Sequence, residues 1–148
     1  MTFDFSEKEM VIQYCKILES KRVSFAVEVP FYYKSIDLVY FDPRERIIAL
    51  EFKISNWRKA IRQAEECSYG ADEVYVCLPE QLFNENIEHE IKKSNCGLII
   101  FNIRTLEIRI VVPFKKKKSK KFNSAISLLR RGIEFSQTND TYARLLAI

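Results

Sequence analysis

The chain has 148 residues, 47% of them hydrophobic and 30% charged, enough for one domain whose core needs neither disulfides nor a structural metal. No stretch approaches the roughly 20 apolar residues that cross a bilayer, and Met1 is not followed by a basic-then-apolar leader pattern, so a cytoplasmic protein is expected. The net charge of +4 is local: six lysines lie within Lys115–Lys121, and the remainder of the chain sums to −2.

Taken in chain order, the first predicted helix runs from about Ser6 to Ser20. Ser6 and Glu9 have the spacing of a capping box, and Met10, Tyr14, Ile17 and Leu18 form an apolar stripe. Ser24–Tyr33 reads as a strand because Phe25, Val27 and Val29 alternate with Ala26 and Glu28. Ile36–Phe41 is a second strand, DPRER a reversing turn, and Arg46–Ile54 a third strand too apolar for a sheet with one wet face. A helix is predicted from Asn56, as N-cap, to about Tyr69, with Gly70 as its stop. Glu73–Leu78 is a buried strand and residues 79–95 a helical connection. Leu98–Asn102 and Leu106–Val112 are two further strands, and Phe122–Phe135 is a final helix. Hairpins followed by a strand–helix–strand crossover give an α/β fold with a mixed central sheet and helices on its faces.

Cys15, Cys67, Cys77 and Cys96 form no CxxC pair and are expected as buried reduced thiols. The single histidine, His89, lies in a polar helical stretch, which leaves nucleophilic catalysis through a histidine base without support. Trp57 is expected to pack in the core at the start of its helix.

Chemistry is concentrated in two predicted neighbouring strands, IDLVYF and ALEFKI. Asp37 opens the first, and Glu51 and Lys53 interrupt the second two residues apart, which sends them to the same face. A tight turn makes these strands neighbours and can bring Asp37 beside the pair. A charge between Leu50 and Phe52 is costly unless it is paired or metal-bound. Two converging carboxylates suit a hard ion such as Mg²⁺ or Mn²⁺, and an adjacent lysine can orient an attacking water. On its own, the D-x13-E-x-K spacing also describes an ion pair on an exposed sheet face.

With its surroundings, the pattern resembles the PD-(D/E)XK nuclease superfamily, which includes Holliday-junction resolvases and restriction endonucleases. The order helix, strand, D-strand, ExK-strand, helix, strand is similar, and so is EFKISNWRKAIRQAEECSYGADEVYVCLP. In that segment a W-x-x-A-x-x-Q-A helix and an AD-x-x-YV strand follow the ExK strand, and CGLIIFN resembles a later strand. The likeness covers roughly residues 9–113, and one departure is Ile36 where the family often has proline. It implies a restriction-endonuclease-like core over residues 1–113, with 114–148 adding a basic segment and a C-terminal helix. It also implies metal-dependent phosphodiester hydrolysis of DNA, with Asp37 and Glu51 as Mg²⁺ or Mn²⁺ ligands and Lys53 as the catalytic lysine. Gln63 matches a glutamine near such sites, Glu9 is the best-placed acid on the first helix, and Glu28 is another candidate.

Lys115, Lys116, Lys117, Lys118, Lys120 and Lys121 read equally as a solvated loop or as a patch contacting DNA phosphates. No base-reading motif is present, so structure- or end-directed action is expected over sequence recognition. The competing expectations are a non-catalytic nucleic-acid-binding module and a subunit of a larger DNA-processing or defence complex. In the latter, the apolar YARLLAI segment would contact a protein partner or a second copy, or dock on its own domain.

Overall fold

The computed structural model describes residues 6–115 and 121–136. Helix α1 (Glu7–Ser20) begins where the sequence places it, with the Ser6 hydroxyl oxygen accepting the Glu9 N–H at 3.1 Å. Strands β1 (Phe25–Phe31), β2 (Lys34–Phe41) and β3 (Ile47–Phe52) follow as a meander. Asp42 fixes the β2–β3 turn: one of its oxygens accepts the Arg44 and Arg46 N–H groups, and the other accepts Arg46 Nε at 2.8 Å. Next come α2 (Trp57–Cys67), β4 (Glu73–Pro79), α3 (Glu85–Lys93), β5 (Gly97–Phe101), β6 (Ile108–Val112) and α4 (Asn123–Ser136).

The six strands lie side by side in chain order, β1-β2-β3-β4-β5-β6. The β1–β2, β2–β3 and β5–β6 pairs are antiparallel, whereas β3–β4 and β4–β5 are parallel and joined by the crossover helices α2 and α3. The predicted mixed sheet flanked by helices is the observed architecture. On one face α1 buries Met10, Val11, Tyr14, Cys15 and Leu18 against Leu38, Leu50, Phe52 and Cys77. On the other, α2, α3 and α4 bury Ala60, Ala64, Ile87, Ile91 and Leu129 against Val29, Ile36, Val39, Ala49 and Val76. With helices on both faces, β3 and β5 bury every side chain, which explains why both read as unbroken apolar runs. All four cysteines are buried and outside any disulfide, Trp57 packs against the second of these cores, and His89 is exposed.

Several local readings change. Residues 79–95 are not continuously helical: a 3₁₀ turn at Glu80–Leu82 is followed by extended Phe83 and Asn84. Asn84 then accepts the Ile87 N–H at 2.9 Å to start α3. Strand β6 starts at Ile108 rather than Leu106, because Asn102 accepts the Arg104 and Thr105 N–H groups and Leu106 takes a φ of 62°. Asn56 sits in the left-handed region at φ 49° and makes no side-chain cap. Gly70 is not a left-handed helix stop; no glycine in the described residues has a positive φ. It is required for space, since a Cβ there would lie 2.8 Å from the Ala125 carbonyl oxygen at the start of α4.

The plain alternation expected of β1 also fails. Ala26 faces α2–α4 and Val27 faces α1, but Val29 and Phe31 face α2–α4 again. The slip occurs at Glu28, which adopts a φ of 51° at a cost of about 1 kcal/mol or more for a residue with a Cβ. The partner strand slips at the same rung: Ile36 faces α2–α4, Leu38 faces α1 and Val39 faces α2–α4. Between these rungs stand Glu28 and Asp37, flanked by the Val27–Leu38 and Val29–Ile36 pairs.

Gly70→Ala should destabilise the fold by roughly 1–3 kcal/mol, the usual cost of forcing a methyl into a packed contact. The urea midpoint measures it, and an unchanged midpoint would mean that α4 does not approach Gly70 this closely.

Candidate active site

The β2–β3 ladder runs from Phe41–Ile47 to Leu38–Leu50, and there it ends. One step farther, Asp37 and Glu51 stand next to each other. The Asp37 carboxylate takes over the ladder: Oδ2 accepts the Phe52 N–H at 2.8 Å in place of a strand carbonyl. Such a charge-assisted bond contributes about 1.5–3 kcal/mol. The Asp37 and Glu51 carboxyl groups lie close enough for each to shift the other's ionisation.

Glu51 is 3% exposed, although it lies within an apolar strand. Burial first, and then the charge of Asp37, push its carboxyl up to about 8. Asp37 is raised by burial, against which the Phe52 N–H, Glu51 and Lys53 act. Two acids this close and this dry cannot both ionise freely, so the pair retains a proton that a cation could replace. Lys53 follows the last residue of β3 and is half-buried. Its charge favours ionisation of both acids, which places it in the same electrostatic unit.

Sequence reasoning missed two members of this cluster. Lys34, at the start of β2, turns inward with its side chain 12% exposed, and donates to the Gln63 carbonyl oxygen at 2.6 Å. Its Nζ is also 3.7 Å from Glu51 Oε1. The Cys67 thiol lies on the same side, 3.2 Å from the Gln63 carbonyl oxygen and 3.9 Å from Glu51 Oε1. Nothing in the sequence marks Lys34, because its inward path depends on how the β1–β2 hairpin curls over α2.

The second missed residue is Glu7. It accepts the Ile54 N–H at 3.3 Å and acts electrostatically on Asp37, and with Lys8, Val11, Val27, Glu28 and Asp37 it lines a cleft of about 210 Å³. Glu9, the expected acid of the first helix, is exposed and is not brought to this cluster. A signal for this was present in the sequence. Glu7 precedes Met10, Val11 and Tyr14 by three, four and seven residues, on the buried stripe, and Glu9 does not. Glu28 is exposed at the mouth of the cleft beside Asp37.

The expected glutamine is close by: Gln63 is half-buried on α2, and its Oε1 is buried without a hydrogen-bond partner. A hard divalent cation fits this chemistry, which offers two oxygen donors in contact that hold a proton between them and an orphaned amide oxygen on the adjoining helix. Among the described residues no three His, Cys, Asp or Glu side chains converge as a ready-made metal cage. Mg²⁺ commonly needs only one or two carboxylates, with waters completing its shell. In the lysine run, Lys115 is exposed, Lys121 pairs with Asp72, and Lys116, Lys117, Lys118 and Lys120 lie outside the described residues, as does the YARLLAI segment. No helix among the described residues is long and apolar enough to cross a membrane.

Among solved structures, the chain is similar to a protein of unknown function from Silicibacter pomeroyi, with a TM-score of 0.66 and 16% identity over 97% of this chain and 91% of that one. It is more distantly similar to a repair endonuclease from Pyrococcus abyssi, with a TM-score of 0.46 and 19% identity over 70% of this chain and 49% of that one. No family model and no curated protein matches the chain by sequence. The first likeness shows a shared fold; the second is too distant to bear on activity.

The raised Glu51 carboxyl sets the sign of a pH effect. Between its unfolded value near 4.5 and about 8, the folded chain holds a proton that the unfolded chain has released, so this residue's contribution to stability falls as pH rises. Thermal melts of the metal-free protein from pH 5 to 8.5 should therefore decline more steeply than those of Glu51→Gln. Parallel curves would mean that Glu51 titrates normally.

Proposed function

We propose that the protein hydrolyses phosphodiester bonds in DNA with Mg²⁺ or Mn²⁺, at the acid pair Asp37–Glu51 assisted by Lys53. The observation that carries this reading is the contact of two half-to-fully buried carboxyl groups at the point where β2 leaves β3, with a lysine in their field. A purely structural ion pair would not need two acids pressed together at the cost of a retained proton.

Asp37 and Glu51 would hold the ion, and its charge would stabilise a phosphodiester passing through its transition state. Asp37 is fixed by the Phe52 N–H and cannot swing away. Lys34 and Cys67 restrain Glu51 from the α2 side. Lys53 would orient the attacking water and supply positive charge to the phosphate, and the Gln63 amide could align either one. Glu7 and Glu28 border the cleft and are the acids available to complete the donor set. The resemblance to the PD-(D/E)XK superfamily supports this assignment of roles.

A second reading, a nucleic-acid-binding module without catalysis, is favoured by the near-complete burial of Glu51 and its ties to Lys34 and Cys67. Cleavage assays on supercoiled, linear, single-stranded and branched DNA separate the two. Asp37→Asn retains an oxygen to accept the Phe52 N–H, and Glu51→Gln is close to isosteric, so both variants should fold. Metal-dependent cutting by the unaltered protein is expected to fall by on the order of 100-fold or more in each, the scale of losing one electrostatic stabiliser of a transition state. Full activity in either variant would refute the assignment, and salt-sensitive DNA binding without cutting would favour the module.

A further inference from the structure

Four exposed aromatic side chains are tied to α2 and α4 or to the turns beside them. Tyr32 and Tyr33 form the β1–β2 turn and are 56% and 85% exposed. Tyr69 follows α2, Phe122 precedes α4, and their exposed rings stack with centroids 5.2 Å apart and planes within 17°. The backbone joins the latter two, with the Phe122 N–H donating to the Tyr69 carbonyl at 2.9 Å. The tyrosines are tied to the same two helices. The Tyr33 hydroxyl donates to Glu66 at 2.6 Å, and the Tyr32 hydroxyl bonds the Ser124 hydroxyl at 2.9 Å. Tyr32 also packs edge-on against buried Phe31.

Tyr32 and Tyr33 are therefore held at their hydroxyl tips and Tyr69 and Phe122 by their stack on each other, while much of each ring's surface stays in water. That arrangement wastes apolar surface unless a flat partner covers it. Helix α2 and the turn after it connect the cluster to the acid pair: Gln63 and Glu66 lie on the helix and Tyr69 two residues past its end. Gln63 meets the lysine that pairs with Glu51, Glu66 meets Tyr33, and Tyr69 meets Phe122. In sequence, the six lysines of 115–121 run directly into Phe122.

Anchored, exposed aromatic rings, with a lysine run immediately before Phe122 in the sequence, match the chemistry of unpaired nucleotides, whose bases stack without sequence preference while lysines meet phosphates. We propose that Tyr32, Tyr33, Tyr69 and Phe122 form a stacking platform for single-stranded nucleic acid. It would hold the unpaired arm of a substrate cut at Asp37–Glu51. This inference rests on the proposed hydrolysis for its biological meaning but not for its test.

The probe is a fluorescein-labelled 20-mer of thymidylates, compared with a duplex of the same length by anisotropy in EDTA, where nothing is cut. Phe122→Leu and Tyr33→Leu keep apolar bulk and remove the π face. Each is expected to weaken single-strand binding about 5- to 50-fold, with duplex affinity changed less than two-fold. The slope of affinity against salt should be unchanged, because the lysines remain. Equal losses for both DNA forms, or no loss for either, would overturn the platform. If a variant fails to fold, photocrosslinking of a 5-bromouracil oligonucleotide to the unaltered protein decides: crosslinks at Tyr33, Tyr69 or Phe122 support the platform, and crosslinks confined elsewhere refute it. A protein that cuts DNA yet shows no effect of these variants loses only the platform, whereas one that binds the oligonucleotide through these rings but never cuts loses only the hydrolysis.

Discussion

One hydrogen bond organises the site: the Asp37 carboxylate receives the Phe52 N–H where the β2–β3 ladder would otherwise continue. A strand carbonyl in that position would have kept the hairpin flat against β3 and closed the sheet over its own edge. A side-chain acceptor satisfies the buried donor and frees β2 to depart. The β1–β2 hairpin then curls over α2 and α4, carrying Lys34 to Gln63 and Glu51 and the turn tyrosines to Glu66 and Ser124. The slip of both strands at Glu28 and Asp37 is the backbone form of the same departure.

The electrostatics follow from this geometry. Asp37 cannot withdraw from Glu51 without orphaning an N–H, and Glu51 cannot reach water from within β3. The pair therefore stores unfavourable interaction, offset by the cores on the two sheet faces and partly compensated by Lys34 and Lys53. Strain of this kind contributes nothing to folding, and it is what a bound cation would relieve.

Much of this was legible in the sequence, for definite reasons. Strands β2 and β3 and the convergence of Asp37 with Glu51 follow from a period of two and a short turn, both local properties. The unbroken apolar runs of β3 and β5 announced a sheet covered on both sides. What escaped notice depends on tertiary docking. The choice between Glu7 and Glu9 is a question of which side of α1 meets the sheet. The buried stripe of Met10, Val11 and Tyr14 answers it only when the acids are counted against that stripe instead of against the cap. Lys34 fell between the two predicted strands and was unmarked, because its burial comes from the hairpin's curl. Gly70 looked like a helix stop, whereas its small size makes room for α4, an element 55 residues later in the chain.

The central claim is that the Asp37–Glu51 pair holds a proton which a divalent cation displaces. Calorimetric titration of the protein with Mn²⁺ at pH 7, in two buffers of different ionisation enthalpy, measures this directly. Binding is expected to release about one proton, and Glu51→Gln should release none. Binding with no proton released, or identical release from the variant, would contradict the claim.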